Sequence, residues 1–276
     1  MGGIIWLASY PKSGNTWTRT FIHNLLLNPK EPFDINQLSI FSLADGKIEW
    51  YERVGGKPFE EFSKHEILGL ISKVHKAFTE SSPDSVFVKT HSVLGSVSDT
   101  PLITMQYTAG AIYIVRNPLD VIISLADHFA MTLDNAIDFA NNSTAYFGAT
   151  DTDMEVFCSS WSGHVNSWMN INRQHMHIMR YEDMLDRPEE TFGGMARFMG
   201  LNPPTERLDK AIQFSSFDVV RKQEDESGFI EQSDKNEKFF RAGKSGQWED
   251  ILSDKQVEKI VKCHYDTMKL FGYLPD

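Results

Sequence analysis

Ile4-Ile5-Trp6-Leu7-Ala8-Ser9-Tyr10-Pro11-Lys12-Ser13-Gly14-Asn15-Thr16-Trp17 decides the fold class. Its first five residues are apolar, β-rich in type and too few for a helix, so they read as a buried strand. Pro11 to Asn15 form a glycine-containing turn. Thr16 to Leu27 then runs without Gly or Pro, with Trp17, Phe21 and Leu25 at helical spacing beside Ile22 and Leu26. Strand, turn and helix in that order are the first unit of an α/β fold.

The same alternation continues outward. Strands are expected at 85–89, 111–115 and 177–181, and helices near 64–79, 118–129, 132–142, 153–173, 188–199, 204–213 and 253–270. Pro118 and Asp120 suit the first turn of the 118–129 helix. Residues 28–63, with Pro29, Pro32, Gly55-Gly56 and Pro58, read as an insertion over one end of the sheet. Residues 221–238, charged in both signs, read as a mobile surface loop. The expectation is one α/β domain over 1–276, with a central, mainly parallel sheet flanked by helices.

Composition narrows the function. The chain has 276 residues, 41% hydrophobic and 24% charged, which excludes wholesale disorder, collagen-like and coiled-coil classes. Its 27 basic against 38 acidic residues give a net charge of −11, an argument against nucleic acid or an anionic membrane as partner. No run approaches the roughly 20 apolar residues of a membrane span, and the amino terminus carries no signal-type leader. Cys158 and Cys263 lack metal spacing and point to a reducing compartment. A soluble cytoplasmic protein is expected.

Four segments carry chemistry. The 10–17 turn aims backbone N–H groups at one point beside Lys12 and the hydroxyls of Ser13 and Thr16, which suits phosphate or sulfate. Its lysine precedes the glycine, so the GxxxxGK[ST] signature of a magnesium–nucleotide site is absent. Val88-Lys89-Thr90-His91 ends a strand, where ligands gather in open α/β sheets, and a histidine there suits a general base. Arg116 leaves the next strand and Ser124 lies two helical turns on, an arginine fork and a hydroxyl able to share a phosphate. Phe240 to Trp248 is cationic and glycine-rich. Against the acidic average, these placements favour a ligand with more than one anionic group. Each segment alone also has a purely structural reading.

Together they resemble the cytosolic sulfotransferase family, which moves a sulfuryl group from 3'-phosphoadenosine 5'-phosphosulfate (PAPS) to an acceptor. Tyr10 to Trp17 is similar to that family's YPKSGTTW loop, and Lys89-Thr90-His91 to its KTH segment. Arg116 with Ser124 is similar to its R-x7-S element, Tyr181-Glu182-Asp183-Met184 to YEDM, Ser216-Phe217 to its Ser-Phe pair, and Arg241 to Trp248 to RKGxxGDW. The resemblance runs in order from about residue 4 to 252. It implies a P-loop-like fold, a small-molecule acceptor (alcohol or phenol), PAP as product and no metal. It implies His91 as general base, with Lys12 and Lys89 stabilising charge. It assigns the nucleotide to Lys12, Ser13, Gly14, Asn15, Thr16, Trp17, Arg116, Ser124, Tyr181, Phe217, Arg241, Ala242 and Gly243. Trp17 and Phe217 would flank the adenine.

The departures are Asn15 for threonine, Ala242 for lysine and Ser92-Val93 for Leu-Pro. Lys244 is a candidate to replace the missing base at 242, and His128 to line the acceptor pocket. The family's carboxy-terminal dimer segment is not recognisable, so oligomeric state does not carry over. A P-loop kinase and a catalytically silent nucleotide-binding protein stand as alternatives. The acidic average favours a neutral or cationic acceptor.

Overall fold

The computed structural model describes residues 2–232 and 238–275. Its main sheet has five strands: β1 (Ile4–Ser9), β2 (Ser42–Ala44), β3 (Val86–Thr90), β4 (Thr108–Val115) and β5 (Met176–Arg180). They lie in the order β2-β3-β1-β4-β5 and every pairing is parallel. Register aligns Ala8 with Thr90, Ser9 with Ile114, and Val115 with Arg180. The carboxyl ends of β3, β1, β4 and β5 therefore share one rim, and the chain reverses order across β1, where such sheets bind ligands.

Both faces of the sheet are buried, which is why its strands read as unbroken apolar runs. Side-chain alternation sends Trp6, Ala8, Ala111 and Tyr113 to one face and Leu7, Ile112 and Ile114 to the other. The Asn15–Leu27 helix buries Phe21, Ile22 and Leu25 on the second face, where Phe21 stacks on Phe192 with ring centroids 4.2 Å apart. Truncating such a ring to alanine costs about 4 kcal/mol. Helices Lys64–Glu80, Pro118–Phe129, Trp161–Met169 and Asp254–Phe271 cover the first face.

Three local expectations need correction. Within 28–63, Ser42–Ala44 adds an edge strand to the main sheet, and Ile48–Gly55 is a helix. A three-residue strand carries too little alternation to be read. The helix expected over 153–173 begins at Trp161: the Ser160 side chain caps it by accepting from Gly163 N–H, and Val156–Phe157 pairs with Tyr146–Phe147 instead. Within 221–238, helix Phe217–Ser227 extends well past Arg221. Glu224 turns inward there and accepts from the Phe239 and Phe240 amides, a contact that charge content does not disclose. Residues 233–237 of that expected loop lie outside the described residues.

Candidate active site

β1 ends in a turn whose backbone is unusual at two points. Lys12 has φ +66° and Gly14 φ +105°, and only glycine takes the second value freely. A Cβ on Gly14 would also lie 2.8 Å from the Tyr181 ring. This turn delivers helix Asn15–Leu27 with its amino end toward the rim. No side chain caps that end and its first turn has no acidic residue. Its leading amides and positive dipole end are left for an anion.

The rim encloses a cleft of about 270 Å³. Lys12, Gly14, Asn15, Thr16, Trp17, Lys89, His91, Arg116, Ser124, Tyr181, Phe217, Arg241, Ala242 and Gly243 all line it. Of the residues the resemblance assigns to catalysis or the nucleotide, only Ser13 is absent from the lining; it is a buried member of the turn itself. Asn15 turns partly inward, donating to the Leu7 carbonyl at 2.8 Å and to Ser9 Oγ at 3.3 Å. Ser13 Oγ, Asn15 Oδ1 and Arg116 Nε are buried without a hydrogen-bond partner among the described residues. The Ser13 hydroxyl and the Arg116 N–H are free to donate to an anionic ligand, whereas Asn15 Oδ1 only accepts and calls for a donor.

Arg116 is fixed from several sides. Its guanidinium donates to the Lys12 carbonyl at 3.0 Å and the Lys244 carbonyl at 3.1 Å, and lies 4.2 Å from the centre of the Tyr181 ring. Glu182 accepts from the neighbouring Asn117 amide at 2.9 Å and from Tyr273 Oη at 2.6 Å. The 241–248 segment is latched by buried Asp120, which accepts from the Gly246 and Trp248 amides at 2.7 and 3.2 Å. Gly243 has φ +61°, and a Cβ there would lie 2.3 Å from the Phe217 ring. Backbone at 243 and the 217 ring thus form one wall of the cleft.

His91 meets the Ser9 carbonyl through Nδ1 at 2.8 Å. A carbonyl only accepts, so Nδ1 carries the proton and Nε2 keeps its lone pair. Burial, reinforced by Lys89, lowers this imidazole to about 3, which keeps it neutral. His164 Nε2 donates to the His91 carbonyl at 3.1 Å by the same reasoning, with its own Nδ1 accepting from Tyr113 Oη at 2.8 Å. Burial, with Lys89 and Arg116 adding, lowers Lys12 to about 7. The Lys12 ammonium lies 4.0 Å from the centre of the Phe239 ring.

The other end of the cleft is apolar, lined by Phe129, Phe147, Val156 and Phe239, with His128 between them. Phe129 and Phe147 stack at 4.4 Å. Glu231 enters beside them, accepting from Lys89 Nζ at 2.8 Å and Arg19 Nη1 at 2.7 Å. Although burial opposes it, the attraction of Lys89 and then Arg19 holds this carboxyl well below the usual range.

The sequence profile described as the sulfotransferase domain matches residues 4–272. The chain belongs to the sulfotransferase family. It is 26% identical to Sulfotransferase 1B1 of Canis lupus familiaris over 267 residues, covering 92% of this chain and 79% of that protein. To Sulfotransferase 1A1 of Rattus norvegicus it is 26% identical over 265 residues, covering 94% and 82%. Its fold matches that of mouse sulfotransferase SULT7A1 complexed with PAP, with TM-score 0.63, 20% identity and coverage of 97% and 85%. It also matches retinol dehydratase in complex with androsterone and the inactive cofactor PAP, with TM-score 0.65, 20% identity and coverage of 96% and 80%.

In this sulfotransferase the Lys244 side chain is exposed and outside the cleft lining; its carbonyl, not its ammonium, meets Arg116. His128 does line the apolar end. Three contacts of the site escaped the sequence reading: those of Ser9, His164 and Glu231. Glu231 meets cations 142 and 212 positions away, a separation that no local pattern reports. Among the described residues, no helix is long and apolar enough to cross a membrane.

Proposed function

We propose that this sulfotransferase uses PAPS as donor and the hydroxyl of a small, largely apolar alcohol or phenol as acceptor, as a soluble cytoplasmic enzyme. One observation carries the reading: the neutral His91, its Nε2 lone pair uncommitted, lines the same cleft as an uncapped helix end flanked by Lys12 and Arg116. The 10–17 turn would receive the 5'-phosphosulfate. Arg116, Ser124, Arg241 and the Gly243 backbone would receive the 3'-phosphate, with Trp17 and Phe217 on the adenine. The orphaned Ser13 Oγ and Arg116 Nε support an anion at this place.

The chemistry is an in-line displacement. The acceptor oxygen bonds to sulfur and gives its proton to His91 Nε2. The bond from sulfur to the bridging oxygen breaks, and its electron pair leaves on the 5'-phosphate of PAP beside Lys12. Lys89 faces the negative oxygens of the transferring group. Positioning and preorganised charge supply most of the rate. The anionic group also raises the basicity of His91 as it arrives, since burial and Lys89 are what lower it.

The test is transfer from radiolabelled PAPS to pentanol and para-nitrophenol. His91→Ala abolishes transfer yet binds PAP within several-fold of wild type, and Lys12→Ala weakens both binding and rate. Turnover by His91→Ala at the wild-type rate removes the base assignment. Failure of PAP to bind removes the nucleotide reading.

A further inference from the structure

Both neighbours of His91 are tied to one carboxylate. Asp45 follows β2, and its amide donates to the Lys89 carbonyl at 3.2 Å, extending the β2–β3 ladder by one bond. Its Oδ2 accepts from Thr90 Oγ1 at 2.6 Å and, at the long limit of 3.5 Å, from Ser92 Oγ. Thr90 Oγ1 in turn accepts from the Ser92 amide at 3.0 Å. These bonds close a ring around the peptide units that bear His91. Ser92 stands where the resemblance expects leucine, so the departure in sequence supplies the hydroxyl that Asp45 engages.

We propose that Asp45 is a positioning residue for His91: its ionised carboxylate clamps Thr90 and Ser92 and so holds the imidazole against the Ser9 carbonyl with Nε2 free. The proposal rests on the reading of His91 as base. Asp45 acts through His91 and does not line the cleft.

Its surroundings explain why the charge matters. Burial pushes the Asp45 carboxyl up to about 6, while the Thr90 bond, Lys89 and the Ser92 bond pull it back. Lys89 on β3 is the cation facing it. His75 and Glu155 share a small cavity with it, and burial keeps His75 neutral by lowering it to about 3. Tyr51 Oη donates to the Asp45 carbonyl at 3.2 Å, and burial, then Asp45, raises the Cys158 thiol. A carboxyl whose native value lies above its unfolded value loses stability as pH rises from the unfolded value through the native one. At neutral pH the loss is complete. Asparagine keeps the shape without that loss, but its neutral amide oxygen accepts the Thr90 and Ser92 hydroxyls more weakly than the carboxylate does and so loosens the clamp. The charge therefore costs the fold stability, and what it gains is the stronger hold on Thr90 and Ser92.

The experiment compares Asp45→Asn, Ser92→Ala and His91→Ala in transfer from radiolabelled PAPS to pentanol and para-nitrophenol, with PAP titration and thermal melting across pH. Wild type is expected to lose kcat as pH falls through about 6, the acid limb belonging to Asp45. Asp45→Asn is expected to melt higher than wild type at neutral pH and to bind PAP within about twofold. Its kcat falls about tenfold, the scale of a small misplacement of a reacting group, and the acid limb disappears. Ser92→Ala, which keeps the charge and deletes one bond, is expected to lower kcat several-fold at unchanged PAP affinity. Wild-type kcat with an unchanged acid limb in Asp45→Asn overturns the proposal. So does an Asp45→Asn that melts lower and loses PAP affinity together with rate. If Asp45→Asn does not fold, an unaltered kcat in Ser92→Ala overturns it instead. Undiminished turnover by His91→Ala refutes the base reading separately, whatever the Asp45 variants show.

Discussion

On the proposed reading, Lys12 is expected to make the binding of PAP proton-linked. In the ligand-free cleft its amine sits at about 7, so about half the molecules carry a neutral amine at neutral pH and about nine in ten do one pH unit higher. A phosphosulfate or phosphate at the adjoining helix end favours the charged form and lifts the value. The bound state then holds a proton that the free state lacked. Uptake on binding is expected to be about half a proton at neutral pH and about 0.9 one unit higher, with affinity falling toward tenfold per further unit. The sign is fixed: a group whose value rises on binding favours binding below its free-state value and withdraws that support above it. The assay is titration calorimetry of PAP in two buffers of different ionisation enthalpy. It is run on the alkaline side, where the phosphates of PAP are already fully ionised. Lys12→Arg, which stays charged, is the control and abolishes the buffer dependence. Equal enthalpies in the two buffers for wild type, or an affinity flat through the alkaline range, refute the argument.

Glu231→Gln leaves Arg19 and Lys89 without their shared counter-charge. It is expected to cost about 3 kcal/mol in the free protein, lowering Tm by roughly 6 °C, while tightening PAP binding; an unchanged melt and Kd refute this. Since the Glu231 carboxyl is depressed, its contribution is complete at neutral pH and is lost only as pH falls through its native value, so the melting difference narrows in acid. Gly243→Ala drives a methyl into the Phe217 ring at a positive φ, and a loss of PAP affinity of about tenfold or more is expected by calorimetry. Affinity retained within twofold means that Phe217 moves aside freely and the wall is not rigid.

The parts of this site legible in sequence are those written locally. The opening strand, its glycine turn and the helix beyond it lie within one short window. The ends of β3 and β4 announce themselves by Lys89-Thr90-His91 and Arg116-Asn117-Pro118, where an apolar run gives way to charge or proline. The remainder depends on distance along the chain. Ser42–Ala44 is a strand because β3 offers it an edge, not because three residues favour extension. Asp45 and Glu231 read as ordinary acidic surface residues until their partners are in place. The charge-rich 221–238 stretch holds a helix whose Glu224 reaches back to two amides, and mixed charge is silent about direction. His128 and Lys244 show the same limit in another form: chemistry named the candidates, and only packing decided which of them meets the cleft.

The Asp120 latch spans 126 residues to Gly246 and 128 to Trp248. During synthesis, Asp120 therefore leaves the ribosome long before the amides it will hold exist, and the sheet can assemble while one wall of the cleft is still missing. Slow, long-range closure of this kind belongs late in folding. A nascent chain stalled before residue 246 would expose the Arg116 turn and the bare helix end to solvent together, and an adenosine bisphosphate added to such chains would report, by whether it is retained, the moment at which translation completes the cleft.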